Sequence, residues 1–266
     1  MKSACREQAK LIFLLTACLL SFFTVLASPQ GHPCPVRGVS ESGIVRAVYD
    51  GDTILVEFSP GEERRVRLIG VDAPEVDDAR EEVAFWAQMA RRFAFFHLYR
   101  KRITLTYDAE RLDRHGRVLA YVHAEGNSLF NEFIIRQGFA FAFLKYPFRS
   151  DYQELFKEAQ DDARSKQRAL WRKGEPLPVP VSAAASHLGE FAAVMFRCAR
   201  VEQRGAFLYL ISDGGEFEAA IPGNRRRLFP DKKGWEGKDF RVTGFIEEFR
   251  GRTQVLLFFP RQLKRL

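Results

Sequence analysis

Val66-Arg67-Leu68-Ile69-Gly70-Val71-Asp72-Ala73-Pro74-Glu75 is an apolar run that carries one arginine and ends in acid. Alternation around Val66 and Leu68, continued by Ile69 and Val71, predicts a strand over Arg64 to Asp72. Pro74 cannot donate to a ladder and ends it. Upstream, Gly43 to Tyr49 and Asp52 to Phe58 flank Asp50-Gly51, a two-residue hairpin signal. Downstream, Val83, Phe85, Trp86, Met89, Phe93 and Phe96 recur at helical spacing and predict a helix over Glu81 to Tyr99. Ile103 to Asp108 and Val118 to Ala124 read as two further strands. Asn127 to Gln137 reads as a helix stopped by Gly138, and Tyr152 to Leu170 as a last amphipathic helix. Five strands with attached helices predict a mainly β fold with α, a barrel of the oligonucleotide-binding type.

The rest of the chain repeats that rhythm. Strand-like runs are Phe191 to Val201, Ala206 to Ser212, Phe217 to Ile221, Asp239 to Phe249 and Thr253 to Phe259, with a short helix expected near Asn224 to Leu228. A second, smaller barrel of the same type is expected. Between the two halves lies Gly174-Glu175-Pro176-Leu177-Pro178-Val179-Pro180, followed by small residues, which reads as a linker. The expected organisation is residues 1–27 as a signal peptide, 28–42 as a flexible lead-in, 43–172 as the first domain, 173–186 as the linker and 187–266 as a basic second domain.

The first segment has a basic start, with Lys2, Arg6 and Lys10. An uncharged run from Leu11 to Ala27 follows, with small residues before a cleavage point at Ala27. This is the pattern of a secretory signal and predicts export to a periplasmic or extracellular space. An uncleaved membrane anchor is the alternative. Cys5 and Cys18 fall inside that segment, which leaves Cys34 and Cys198 to pair or to remain two free thiols. Neither has metal-ligand spacing, so no zinc site is expected. Residues 28–172 hold 22 basic and 22 acidic side chains, whereas residues 185–266 carry a net charge of +5. Arg225, Arg226 and Arg227 form the densest basic cluster. Its expected use is to hold a phosphate backbone, set against the bland reading of a solvated surface.

Hydrolysis of a phosphodiester requires a cation to shield the phosphate, donors for its oxygens and a group that acts on water. Asp52 follows a tight turn and Asp72 ends a strand. Two carboxylates at strand ends suit one hard cation, calcium or magnesium. Ala73 precedes proline and is therefore biased to an extended conformation, which fixes its carbonyl. Glu75 lies three residues beyond Asp72. Arg67 interrupts an apolar face and implies a partner anion. Arg117 sits in the turn Asp113-Arg114-His115-Gly116-Arg117. Two guanidiniums on one phosphate and two structural ion pairs are equally compatible with this spacing.

Asp50-Gly51-Asp52-Thr53, Val66 to Glu75, Asp113 to Tyr121, Asn131-Glu132 and Arg136-Gln137-Gly138 together resemble, in order and spacing, the motifs of the thermonuclease (staphylococcal nuclease) family, over about residues 43–171. The resemblance implies a nuclease in which Asp52, Asp72 and the carbonyl of Ala73 bind Ca²⁺. Glu75 acts on the attacking water, and Arg67 and Arg117 bind the phosphate and stabilise the transition state. Products carry 3′-phosphates, and the substrate is DNA or RNA, preferably single-stranded. A monomer with no stable protein partner is expected. The best-known member has Thr in place of Ala73 and Tyr in place of His115. Its nucleotide-flanking aromatic pair falls on Leu144 and Tyr146, so only Tyr146 is kept. His115 and Tyr146 are therefore weaker candidates for substrate contact. The stretch after Glu75 is acidic here, with Asp77, Asp78, Glu81 and Glu82, where that member has lysines, which shifts polyanion capture toward the second domain. The rival class is a catalytically weak nucleic-acid-binding protein of the envelope.

Overall fold

The computed structural model describes residues 40–229 and 234–266. The expected signal, the lead-in as far as residue 39, Cys34, Lys232 and Lys233 lie outside the described residues. In the first half, β1 (Ser40–Val48) and β2 (Thr53–Ser59) form the hairpin whose turn is Asp50-Gly51, and β3 (Glu62–Leu68) pairs antiparallel with β2. Residues of β3 alternate, with Val66 and Leu68 in the core and Arg67 on the opposite face. The expected single strand to Asp72 is two strands. Gly70 adopts φ +71°, and a Cβ there would lie 2.6 Å from the ring of Phe156, so only glycine fits the bend. The chain then re-enters as β4 (Val71–Asp72), which pairs with β7 (Phe141–Ala142).

Helix α1 (Glu81–Leu98) follows, burying Phe85, Met89 and Phe93 along one stripe. Strands β5 (Arg102–Thr106) and β6 (Val118–His123) complete a closed barrel in the order β1-β2-β3-β6-β5, with β3 and β6 parallel. Helix α2 (Phe130–Arg136) carries the fully buried Asn131. Its side-chain oxygen accepts from the Val122 N–H (2.8 Å) and its amide donates to the Ile69 carbonyl (2.9 Å). One amide thus satisfies backbone groups at the β3–β4 bend and in β6, where unpaired they would be costly. Helix α3 (Ser150–Ser165) closes the half.

The second half is another closed five-stranded barrel: β9 (Phe191–Arg204), β10 (Phe207–Ser212), β11 (Phe217–Pro222), β13 (Arg252–Leu256) and β12 (Asp239–Phe249), with β12 returning to β9. A 3₁₀ turn at Gly223–Leu228 and an edge strand β14 (Leu263–Arg265) complete it. The expected linker is largely part of this wall. Strand β8 (Pro178–Pro180) runs parallel to β9, and Arg241 pairs with Glu175 (2.8 Å) and donates to the Pro176 carbonyl. Ala184 is buried in the second core. Prolines are tolerated there because β8 is an edge strand. Cys198 is a buried free thiol in the same core, pushed up to about 11 by burial.

The two barrels share apolar packing through α1. Phe245 and Phe259 of the second barrel belong to the core that holds Phe85 and Phe93 of the first. Ring centroids of Phe245 lie 6.0 Å from Phe93 and 5.5 Å from Phe96, and Phe191 lies 5.0 Å from Trp86. The fully buried rings of Phe93 and Phe245 each contribute roughly 1.5–3 kcal/mol by burial, the partly buried Trp86, Phe96 and Phe191 less. Arg92 of α1 also pairs with Glu247, which accepts from Gln254 at 2.9 Å; the Arg92 and Glu247 side chains are 18% and 6% exposed.

Candidate active site

The Asp50-Gly51-Asp52 turn is held from three sides. Asp50 accepts from the backbone N–H of Asp52 (3.0 Å), a local cap of the turn. A Cβ on Gly51 would stand 2.7 Å from that of Ala73 and 2.9 Å from that of Ala90 on α1, so nothing larger fits. Arg91 of α1 donates to the Val48 carbonyl (3.1 Å) just before the turn. Asp52 is thereby fixed in the interior, 4% exposed. One of its oxygens accepts from the Ala73 N–H (2.7 Å), and the other from Thr53 (3.0 Å) and Arg67 (2.9 Å). Burial pushes its carboxyl up to about 8, against the pull of Arg67 and with the push of Asp50.

Arg67 is the partner that joins the two aspartates. One terminal nitrogen, Nη1, serves both Asp52 and the Val71 carbonyl (2.7 Å), while Nη2 stands 3.7 Å from Asp72. Its sequence-implied anion is therefore Asp52, with Asp72 behind it. Its face is the outer one of β3, not an apolar face shared with Ile69 and Val71, because the Gly70 bend breaks the alternation. Glu75 is exposed. Desolvation raises its carboxyl first, then the charges of Asp50, Asp77 and Asp72, with Arg67 opposing. Asp52, Asp72 and the charge of Glu75 thus reach one guanidinium, while the charge of Asp50 acts on Asp52, Glu75 and Arg91 of α1. Among the described residues, no three His, Cys, Asp or Glu side chains form a self-contained metal cage.

Arg117 approaches from the other side. The Asp113–Arg117 turn closes on Gly116 at φ +73°, with Asp113 accepting from the backbone of His115 (2.9 Å) and from the Arg117 Nε (2.7 Å). Both terminal nitrogens of Arg117 are left out of that bond. Arg67 and Arg117 line one cavity of about 800 Å³, together with His115, Tyr146, Phe148 and Arg149. Structural ion pairs and a shared cavity therefore coexist. His115 accepts from Arg114 Nε (3.0 Å), and Tyr146 is 59% exposed beside Phe143. Leu144 is at the surface and does not line the cavity. The lining comes wholly from the first barrel, so Arg225, Arg226 and Arg227 stand apart from it. Arg226 bonds Gln203 (3.2 Å) and Arg225 lies 5.6 Å over the Phe259 ring.

Sequence reasoning passed over Asp50 as a turn former, although its charge acts on both Asp52 and Glu75. It also passed over Arg149, whose backbone N–H donates to Asp108 across the cavity wall (2.9 Å). No local spacing signals that second contact.

A family model described as Staphylococcal nuclease homologue matches residues 65–173, a span that contains Arg67, Asp72, Glu75 and Arg117. The thermonuclease of Staphylococcus intermedius is 41% identical over 138 residues, 52% of this chain and 79% of that protein. The thermonuclease of Staphylococcus hyicus is 37% identical over 124 residues, 47% of this chain and 72% of that protein. An uncharacterized endonuclease of Escherichia coli is 31% identical over 144 residues, 54% and 86% of the two chains. Most of each relative's length is accounted for by this chain, whose first barrel sets Arg67 and Arg117 on one cavity, with Asp52 and Asp72, which are not among its lining residues, paired to Arg67; the chain belongs to the staphylococcal nuclease family and is a nuclease.

Proposed function

We propose that the chain is an exported, calcium-dependent nuclease that cuts DNA or RNA, single strands foremost, and leaves 3′-phosphate ends. The observation that carries the metal reading is the acid around Arg67: Asp52, 4% exposed, Asp72 and Glu75 all act on its guanidinium, and Asp50 adds its charge to Asp52 and Glu75. Like charges crowded in a desolvated site favour a bound cation. The donors are all oxygen, which selects a hard ion that keeps part of its water shell. Asp52, Asp72 and the carbonyl of Ala73 would hold it. When bound, calcium supplies shielding of the phosphate charge.

The chain's own groups do the rest. Arg67 keeps Nε and Nη2 for a phosphate, since Nη1 makes its bonds to Asp52 and Val71. Arg117 keeps both terminal nitrogens, since Nε makes its bond to Asp113. Two forks on one phosphate neutralise charge as it grows on the equatorial oxygens. Glu75 orients or deprotonates the attacking water. The water oxygen bonds to phosphorus, the bond from phosphorus to the 5′ oxygen breaks, and that oxygen leaves with a proton as a 5′-hydroxyl. The net +5 second barrel, Arg225 to Arg227 included, gathers the polyanion. His115 and Tyr146 stand at the cavity for contact with a terminal phosphate and a nucleotide ring. Export rests on the basic-then-apolar segment at residues 1–27.

Cleavage of single-stranded DNA and RNA by the full protein, in chelator and then with Ca²⁺ or Mg²⁺ restored, tests this. Activity should stop in chelator and return with Ca²⁺; undiminished cutting in chelator contradicts the metal role.

A further inference from the structure

Three successive residues of α1 make three separate long-range contacts. Ala90 backs the Asp50–Asp52 turn, close enough that a Cβ on Gly51 would lie 2.9 Å from its methyl. Arg91 donates from Nε to the Val48 carbonyl (3.1 Å), at the end of β1, and the charge of Asp50 acts on its guanidinium. Arg92 reaches into the second barrel and pairs with Glu247 of β12. Within one helical turn, α1 thus holds the turn that carries Asp52 and is itself held by the other barrel.

Neither arginine is explained by stability alone. Gln254, opposite Glu247 in the β12–β13 register, donates to the second oxygen of Glu247 (2.9 Å), so that carboxylate is fully engaged. Arg92 lies 4.6 Å over the Phe95 ring, yet its buried Nε has no partner among the described residues. A buried pair with an orphaned donor, set in a seam of phenylalanines, stabilises less than packed apolar side chains would. What it supplies is direction: a guanidinium and a carboxylate meet at one distance and angle, whereas rings tolerate sliding. Arg91 does the same for the strand end. Its terminal nitrogens bond no carboxylate among the described residues, so it spends its one bond on the backbone that leads into the turn.

We propose that Arg91 is a positioning residue for the reaction, holding the Asp50–Asp52 turn where its carboxylates can take a cation, and that Arg92 and Glu247 let the second barrel set the helix from which Arg91 acts. This rests on the reading of the chain as a calcium-dependent nuclease. The sign of one effect separates positioning from charge. A guanidinium beside acids repels a second cation, so by charge alone its removal would tighten Ca²⁺ binding. If Arg91 positions the turn, its removal loosens the ligand set and weakens Ca²⁺ binding instead.

The test is calorimetric titration of Ca²⁺ into the full chain without nucleic acid, alongside kcat and KM on a single-stranded oligonucleotide, all well below the melting temperature. Arg91→Met keeps the length of the side chain and removes both donor and charge. It should weaken Ca²⁺ roughly tenfold and lower kcat by roughly ten- to a hundredfold at saturating Ca²⁺, with KM for the oligonucleotide unchanged. Arg91→Lys keeps the charge and one donor and should restore most of both, leaving a few-fold deficit; where Arg91→Met does not fold, that deficit carries the test and its absence overturns the proposal. Glu247→Gln, in the other barrel, should weaken Ca²⁺ by a few-fold. Lys157→Gln, an exposed charge on α3, should change nothing. Unchanged or tighter Ca²⁺ binding in Arg91→Met would overturn the proposal, as would a loss confined to KM. An unaffected Glu247→Gln would overturn the part given to the second barrel. Failure of the nuclease reading appears separately, as a wild type that binds no Ca²⁺ or cuts undiminished in chelator.

Discussion

Around Arg67 one guanidinium faces Asp52 and Asp72, with the charge of Glu75 within reach; around Glu218 one carboxylate faces Arg204 and Arg252. The two clusters sit on two barrels of the same strand order. In the first, a buried carboxyl is crowded by further acids. In the second, a buried carboxylate is shared by two partly exposed cations, and Glu202 stands 3.7 Å from one of them, so the charges balance. The second cluster is closed on itself, whereas the acids left over in the first are what it has to offer a ligand.

The largest effect expected from testing this contrast is on turnover. Arg117→Gln removes a phosphate donor from the first cavity and should lower the cleavage rate about 10²–10³-fold with the thermal melt unchanged. A loss below tenfold would move the chemistry elsewhere. Next, Glu218→Gln leaves two arginines without their shared anion. Stability should fall by about 2–3 kcal/mol, at the low end for a broken buried pair because both arginines are partly exposed. A melt should register this as roughly 5–10 °C. An unshifted melt would mean that Glu218 holds nothing.

A third effect belongs to the seam between the clusters, where His97 is packed against Phe93, Phe130 and Phe133, with Lys101 nearby. Burial, assisted by Lys101, pushes its imidazole down to about 4. The unfolded chain takes up a proton near pH 6.5 and the folded chain only near 4. Stability is therefore full above the unfolded value, falls as pH drops between the two, and levels off below the lower one. The loss should be about 2 kcal/mol after allowance for partial solvation. Urea unfolding of the wild type and His97→Leu at several pH values checks it: the variant should lose that slope. The smallest effect has the opposite sign from that of Glu218→Gln. Asp50→Asn keeps the cap on the Asp52 N–H and removes one like charge beside Asp52 and Glu75. In chelator it should raise stability by at most about 0.5 kcal/mol, because the lost attraction to Arg91 offsets part of the relief. A drop in the melting temperature would deny that the acid cluster is strained by repulsion.

Much of the first barrel could be read from residues alone, because its signals are local. Asp50-Gly51 makes a hairpin, Pro74 ends a strand, and the apolar stripe of Glu81–Leu98 makes a helix. The face of Arg67 could not be read, since a left-handed Gly70 in mid-run shifts the alternation by a bend and not by a change of residue type. The Pro-rich stretch near 178 reads as a linker yet forms an edge strand for a related reason: the two share the same composition. Arg92 and Glu247 are 155 positions apart, and nothing in either neighbourhood announces the other. The Glu218 cluster was invisible for the same cause, because its three members come from three strands and look ordinary in each.

Helix α1 touches the Gly51 turn with Ala90 and the second barrel with Phe85, Phe93 and Phe96. A shortened enzyme ending near the last family-matched residue would bare those rings to water, so trimming the gene demands repainting that helix with polar side chains first. The C-terminal half is in this sense a lid on the helix that backs the chemistry, and its removal would be felt as insolubility before it was felt as slower cutting.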